Sequence, residues 1–143
     1  GIIIFKWLSS LSIKMKLFVR SENMIEKYFL DYGEKHPGVV KEYKEEWGAY
    51  LLKVADKMFV LLGEDKEKKS IISLKCDPEL AIQLRGEYDE IVPGYYLNKV
   101  HWNSIDLHGK LEKEKIEKLI DHSYELVFKS LTKKKQKEIL ENV

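Results

Sequence analysis

One cysteine, four histidines and a short polar and aromatic run are the places where this 143-residue chain could do chemistry. Cys76 could act as a nucleophile with His101 as its base, because such partners need to meet only in space. Against this, Cys76 closes the apolar run Ser70 to Cys76, and a free Cys in such a strand is usually a buried small hydrophobe. His36, His101, His108 and His122 show no metal-ligand spacing, and the gap from His101 to His108 puts those two on opposite faces of a strand. Position 119 is Leu where a helical Glu-x-x-His pair ending at His122 would need an acid. Gly63, Gly86, Gly94 and Gly109 are isolated, so no phosphate-cradling loop is present. Ser123 lies within an apolar helical face, where a small residue allows close helix-to-sheet approach with its hydroxyl bonded back along the helix. No catalytic residue, metal or cofactor is expected.

Two groups of residues keep a binding role. Lys66, Lys68 and Lys69 occupy a hairpin tip, from which basic side chains can follow a phosphate backbone, although Glu64, Asp65 and Glu67 dilute them. The run Asn98-Lys99-Val100-His101-Trp102-Asn103, with Tyr95 and Tyr96 before it, offers stacking faces, donors and a tunable charge. Its plainer reading is a strand junction whose Trp is core and whose Asn makes turn hydrogen bonds. Lys133-Lys134-Lys135 reads as a solvated helix face.

The elements that would hold these residues can be read from periodicity. Residues 1–21 carry Lys6, Lys14, Lys16 and Arg20 with no acid, leaving 21 bases against 24 acids in the rest. They read as an amphipathic extension, with Ile4, Leu8, Leu11, Met15 and Phe18 on one helical face, or as an edge strand over Lys14 to Val19. Its lysines recur too often for a spanning helix or a signal peptide. Docking on the core or on a second subunit is expected ahead of membrane contact.

Residues 22–143 read as one domain. A helix starts at Asn23, paired with Glu26 as in a capping box, and stops near Gly33, before a turn at His36-Pro37-Gly38. Residues 46–54 and 57–62 form a tight hairpin, and Ser70 to Cys76 a third strand. Asp77-Pro78-Glu79 opens a helix, since Asp caps free amides and Pro loses no bond at the first position. Tyr95 to Asn98 and Val100 to Leu107 read as strands four and five. A helix over 112–131 and a short one over 133–141, capped by Thr132, complete the chain. The order predicts an α+β two-layer sandwich, a five-stranded antiparallel sheet with helices packed on it. A single Cys rules out an internal disulfide, which suits a reducing, cytoplasmic setting.

The segments LLKVADKMFVLL, SLKCDPELAIQLR, PGYYLNKVHWNSIDL and LIDHSYELVFKSL resemble, in order and spacing, the MmcQ/YjbR family of small bacterial proteins over about residues 24–131. The resemblance implies a YjbR-like fold similar to that of type III secretion chaperones, and a DNA-binding role through a double-wing motif. On that expectation Lys66, Lys68, Lys69, Asn98, Lys99, His101 and Trp102 would meet nucleic acid. Two departures matter: Tyr96 stands where the family commonly has another aromatic or His, and Val100 where it often has Arg, which removes a phosphate contact from the second wing. The alternative expectation is a protein- or small-ligand-interaction module without nucleic-acid binding, consistent with a net charge of only +1.

Overall fold

The computed structural model describes residues 13–142, with side-chain surroundings from Met24 onward. The helical reading of Ile4, Leu8 and Leu11 therefore lies outside the described residues. Helix α1 (Ile13–Glu34) leads into strands β1 (Val39–Lys44), β2 (Ala49–Val54), β3 (Lys57–Glu64) and β4 (Ser70–Lys75). Helix α2 (Pro78–Glu87), strands β5 (Ile91–Pro93) and β6 (Trp102–Asp106), and helices α3 (Lys113–Ser130) and α4 (Lys133–Glu141) follow. All strand pairs are antiparallel, in the order β1-β2-β3-β4-β6-β5. The α+β class is as expected, but the sheet has six strands rather than five.

The extra strand is β1, whose polar sequence hides it. It is paired on one side only and mostly exposed, so charge is tolerated on it. The strand expected at Tyr95 to Asn98 does not form. Pairing at that edge comes instead from three residues ending in Pro93, where a missing amide donor costs nothing because the outer side is unpaired. Tyr95 to Val100 is a succession of turns, in which Tyr96 holds a left-handed φ of 60°. Nor does a helix start at Asn23. α1 passes through Asn23 and Lys14 to Val19 alike, and the Glu26 carboxylate accepts from the Ser70 hydroxyl instead of capping an amide.

Other local readings hold. Val54 pairs with Lys57 across a two-residue turn, with φ of 49° at Ala55 and 63° at Asp56, the positive pair that a tight hairpin requires. The Asp77 side chain accepts from the Leu80 amide and that of Thr132 from the Lys135 amide.

Antiparallel register divides the sheet into two faces. Leu52, Val60, Leu74 and Asn103 stand opposite one another in one row, and this side packs on the helices. α3 supplies Ile116, Leu119, Ile120, Tyr124 and Val127 to the shared core, α1 adds Phe29 and Leu30, and α2 adds Ala81 and Leu84. Ser123 lets α3 come close, as expected. Its hydroxyl, however, bonds to the strands rather than back along the helix: it donates to the Phe59 carbonyl at 2.6 Å and accepts from the Lys75 amide at 2.9 Å. One fully buried hydroxyl thus satisfies two backbone groups at the strand ends. Ser123→Ala should strand both and lower stability by about 1–3 kcal/mol in urea unfolding; an unchanged midpoint would show that the bridge contributes nothing.

Candidate functional site

Among the described residues the opposite face of the sheet carries no helix, and its central side chains are apolar apart from two serines. Leu51, Leu61, Ser73, Ser104 and Val92 form its central row, with Gly63 beside Ile71 in the next. At Gly63 an added Cβ would come within 3.0 Å of the Ala49 Cβ, so a larger residue would close the space between these strands. The result is a cavity of about 460 Å³. Ala49, Leu61, Gly63, Ile71 and Ser73 line its floor, while Glu46, Trp47, Glu64, Tyr95, Tyr96 and Leu97 line its walls.

The loop following Pro93 folds over this face and is pinned there. Gly94 donates its amide to the Trp102 carbonyl at 2.8 Å, and Tyr95 donates its own to the Ser104 hydroxyl at 2.9 Å. The Ser104 and Ser73 hydroxyls bond each other at 2.6 Å, both almost fully buried. Tyr95 and Tyr96 lie with ring centroids 4.3 Å apart. The neighbouring Tyr96 hydroxyl, and then burial, raise the Tyr95 pKa, so its phenol stays neutral. Tyr96 itself is 82% exposed.

The residues expected to bind do not converge. Lys69 precedes β4 at the end that pairs with Asp106, while the His101 carbonyl accepts from the Cys76 amide at the other end, about 17 Å away along five residues of strand. In the β3–β4 loop, Asp65 Oδ1 accepts from the Glu67 and Lys69 amides, and Lys69 Nζ is 3.3 Å from Glu67. That carboxylate raises the Lys69 pKa. Lys66 and Lys68 remain exposed.

In the second loop, Asn98 Oδ1 accepts from the Val100 and His101 amides, which is the turn role of its plainer reading. Lys99 Nζ donates to the Gly94 carbonyl at 2.9 Å and so ties the loop to its own start. His101 is exposed, and Trp102 is half-buried beside Gly94. The Lys66 backbone amide faces the Tyr95 hydroxyl, and through Tyr95 the two loops meet.

Sequence reasoning missed Trp47, Glu46 and Leu97 as site residues, because the turn between β1 and β2 that carries Glu46 and Trp47 shares a cavity with the Tyr95 to Leu97 loop only in the folded sheet. It also missed a polar junction between α1 and α3. There the Tyr32 hydroxyl donates to both Asp121 oxygens at 2.9 Å, and His36 Nε2 lies 2.7 Å from Asp121. The Tyr124 hydroxyl donates to the Pro37 carbonyl, which fixes the turn after α1. These groups are engaged in packing helices together. Likewise His122 accepts the Asp77 amide rather than facing a ligand.

Cys76 is buried, and burial pushes its thiol up to about 11. At pH 8 only about one thiol in a thousand would be ionised. Iodoacetamide should therefore label the native chain far more slowly than the urea-unfolded chain; equal rates would contradict this burial.

Comparison with known proteins places the chain. The YjbR family model matches residues 34–126. The uncharacterized protein YjbR of Escherichia coli K12 is 35% identical over 108 residues, covering 76% of this chain and 91% of that one. The uncharacterized protein YyaQ of Bacillus subtilis 168 is 31% identical over 96 residues, covering 65% and 79% respectively. A crystal structure of a Deinococcus radiodurans protein superposes with a TM-score of 0.70 at 30% identity, covering 78% of this chain and 84% of the other. One from Pseudomonas syringae gives 0.62 at 30% identity, covering 70% and 96%. Fold, motif order and matched length agree with the resemblance drawn from the sequence, and the chain belongs to the YjbR family.

Proposed function

We propose that this YjbR-family chain is a non-enzymatic binding domain that receives a small ligand in the cavity on the face of its sheet opposite the described helices. The observation that carries this reading is the cavity itself: about 460 Å³, walled by Trp47, Tyr95 and Tyr96, and floored by apolar side chains with the hydroxyl of Ser73. Volumes and linings of this kind suit small-molecule sites. Support also comes from Tyr96, whose left-handed backbone costs about 1 kcal/mol and is the sort of strain that recurs at ligand clamps. No convergent set of base, nucleophile and electrophile stabiliser accompanies it among the described residues, which favours binding over catalysis. No helix among the described residues is long and apolar enough to cross a membrane, and a cytoplasmic setting is part of the proposal. The expected likeness to secretion chaperones would be a variant of it, with a protein side chain as the occupant.

Titrating the 15N-labelled chain with indole tests the reading. Amide shifts should concentrate at Ala49, Gly63, Ser73 and Tyr95, and should be lost in Trp47→Ala with the fold intact. Shifts scattered over the surface, or none, would overturn the assignment of the site.

A second reading keeps the nucleic-acid expectation. It is favoured by the exposure of Lys66 and Lys68 at one end of β4 and His101 at the other, a span that phosphates along a duplex can bridge. Lys99 and Asn98 would then act by shaping the loop, and Trp102 by packing under it. If this reading holds, replacing Lys66 and Lys68 with Ala should reduce the dependence of log affinity on log salt by about two. An unchanged slope, or no binding at low salt, would dismiss it.

A further inference from the structure

The composition of the cavity wall specifies more than size. Three aromatic rings, Trp47, Tyr95 and Tyr96, stand around it, together with the carboxylates of Glu46 and Glu64. Aromatic faces carry negative charge density and attract cations, more strongly where water is partly excluded. Both carboxylates are exposed, and among the described residues neither lies within ion-pairing distance of a Lys, Arg or His nitrogen. Asp65, next to Glu64, adds negative potential at Tyr95.

Among the described residues, basic groups at the rim are few. Lys44 Nζ lies 4.2 Å from the Trp47 ring centroid, so this ring is already placed against a cation. Lys69 is held by Glu67, and Lys66 approaches through its backbone amide. Below the rings, Leu61, Ile71 and Ala49 would receive an apolar body, with the Ser73 hydroxyl beside them. An anion would face two unpaired carboxylates here, and a neutral ligand would leave them unused.

We infer that the cavity takes a small organic ammonium ion with an apolar or aromatic body, its cationic head among Trp47, Tyr95 and Tyr96 and close to Glu46 and Glu64. This rests on the reading of the cavity as the ligand site, and it specifies the chemical class of the ligand. Lys44 is the cation with which the ligand would compete for, or share, the Trp47 ring.

Three probes of nearly equal size test it on the full chain by amide-shift titration: phenethylammonium, 2-phenylethanol and phenylacetate. Phenethylammonium should bind at the cavity amides about tenfold more tightly than the alcohol, and phenylacetate more weakly still. The doubly substituted chain Glu46→Gln, Glu64→Gln should lose most of the preference for the cation while keeping its affinity for the alcohol. Retention of that affinity shows that the site is still folded. Equal binding of cation and alcohol at the cavity would overturn the ammonium assignment and leave the cavity reading standing. Absence of all three probes from the cavity amides would overturn both, and tighter binding of phenylacetate would reverse the charge argument.

Discussion

Among the described residues helices cover only one face of this sheet, and much of the rest of the structure follows from that asymmetry. A six-stranded antiparallel sheet with Ala49, Leu51, Leu61, Ile71, Ser73 and Ser104 on its second face has apolar side chains there, whose exposure to water would cost roughly 25 cal/mol per Å², and all but Leu61 are buried. With no second helical layer among the described residues, the Gly94 to Leu97 loop covers part of that surface, pinned by Ser104 and by the Lys99 bond to Gly94. The cover is incomplete, and the incompletely covered part is the cavity. The loop is thereby both a lid on hydrophobic surface and the aromatic wall of the site.

The helix-bearing face is organised for rigidity. α3 lies across β3 and β4 with Ser123 as its point of closest approach, bonded to both strands. The turn after α1 is locked by Tyr124 to Pro37 and by His36 with Tyr32 to Asp121. Gly38 sits there at φ +75°, where an added Cβ would meet Ile139 of α4 at 2.8 Å. These contacts hold β2, β3 and β4, and it is their relative register that places Ala49, Gly63 and Ser73 together. Positioning on one face is thus what makes the other face specific.

How much of this was legible in the sequence depends on the range of the interaction that decides each feature. Local chemistry was readable: Asp77-Pro78, Thr132 and the Ala55-Asp56 turn each rest on residues within a few positions of one another, and the α3 stripe on its own period. Where long-range pairing decides, the sequence was ambiguous. Val39 to Lys44 gives no strand signal because an edge strand needs no apolar alternation, and Tyr95 to Asn98 looks like a strand because its aromatic residues cover a sheet face rather than join the sheet. The residues expected to bind were picked for their polar chemistry, yet Asn98 and Lys99 direct that chemistry into the loop's own backbone. The cavity was invisible for a different reason: its floor is made of ordinary strand residues on separate strands, individually unremarkable, and its aromatic wall spans from Trp47 to Tyr96.

The central claim is that the second sheet face holds a preformed cavity rather than a closed surface. A crystal structure of the chain with phenethylammonium at saturating concentration addresses it most directly. The account predicts the ligand's ring over Leu61 and Ile71 and its nitrogen among Trp47, Tyr95 and the Glu46 and Glu64 carboxylates, with the Gly94 to Leu97 loop in its present place. A loop closed down onto Ser73 and Ser104, leaving no space above Gly63, would contradict it.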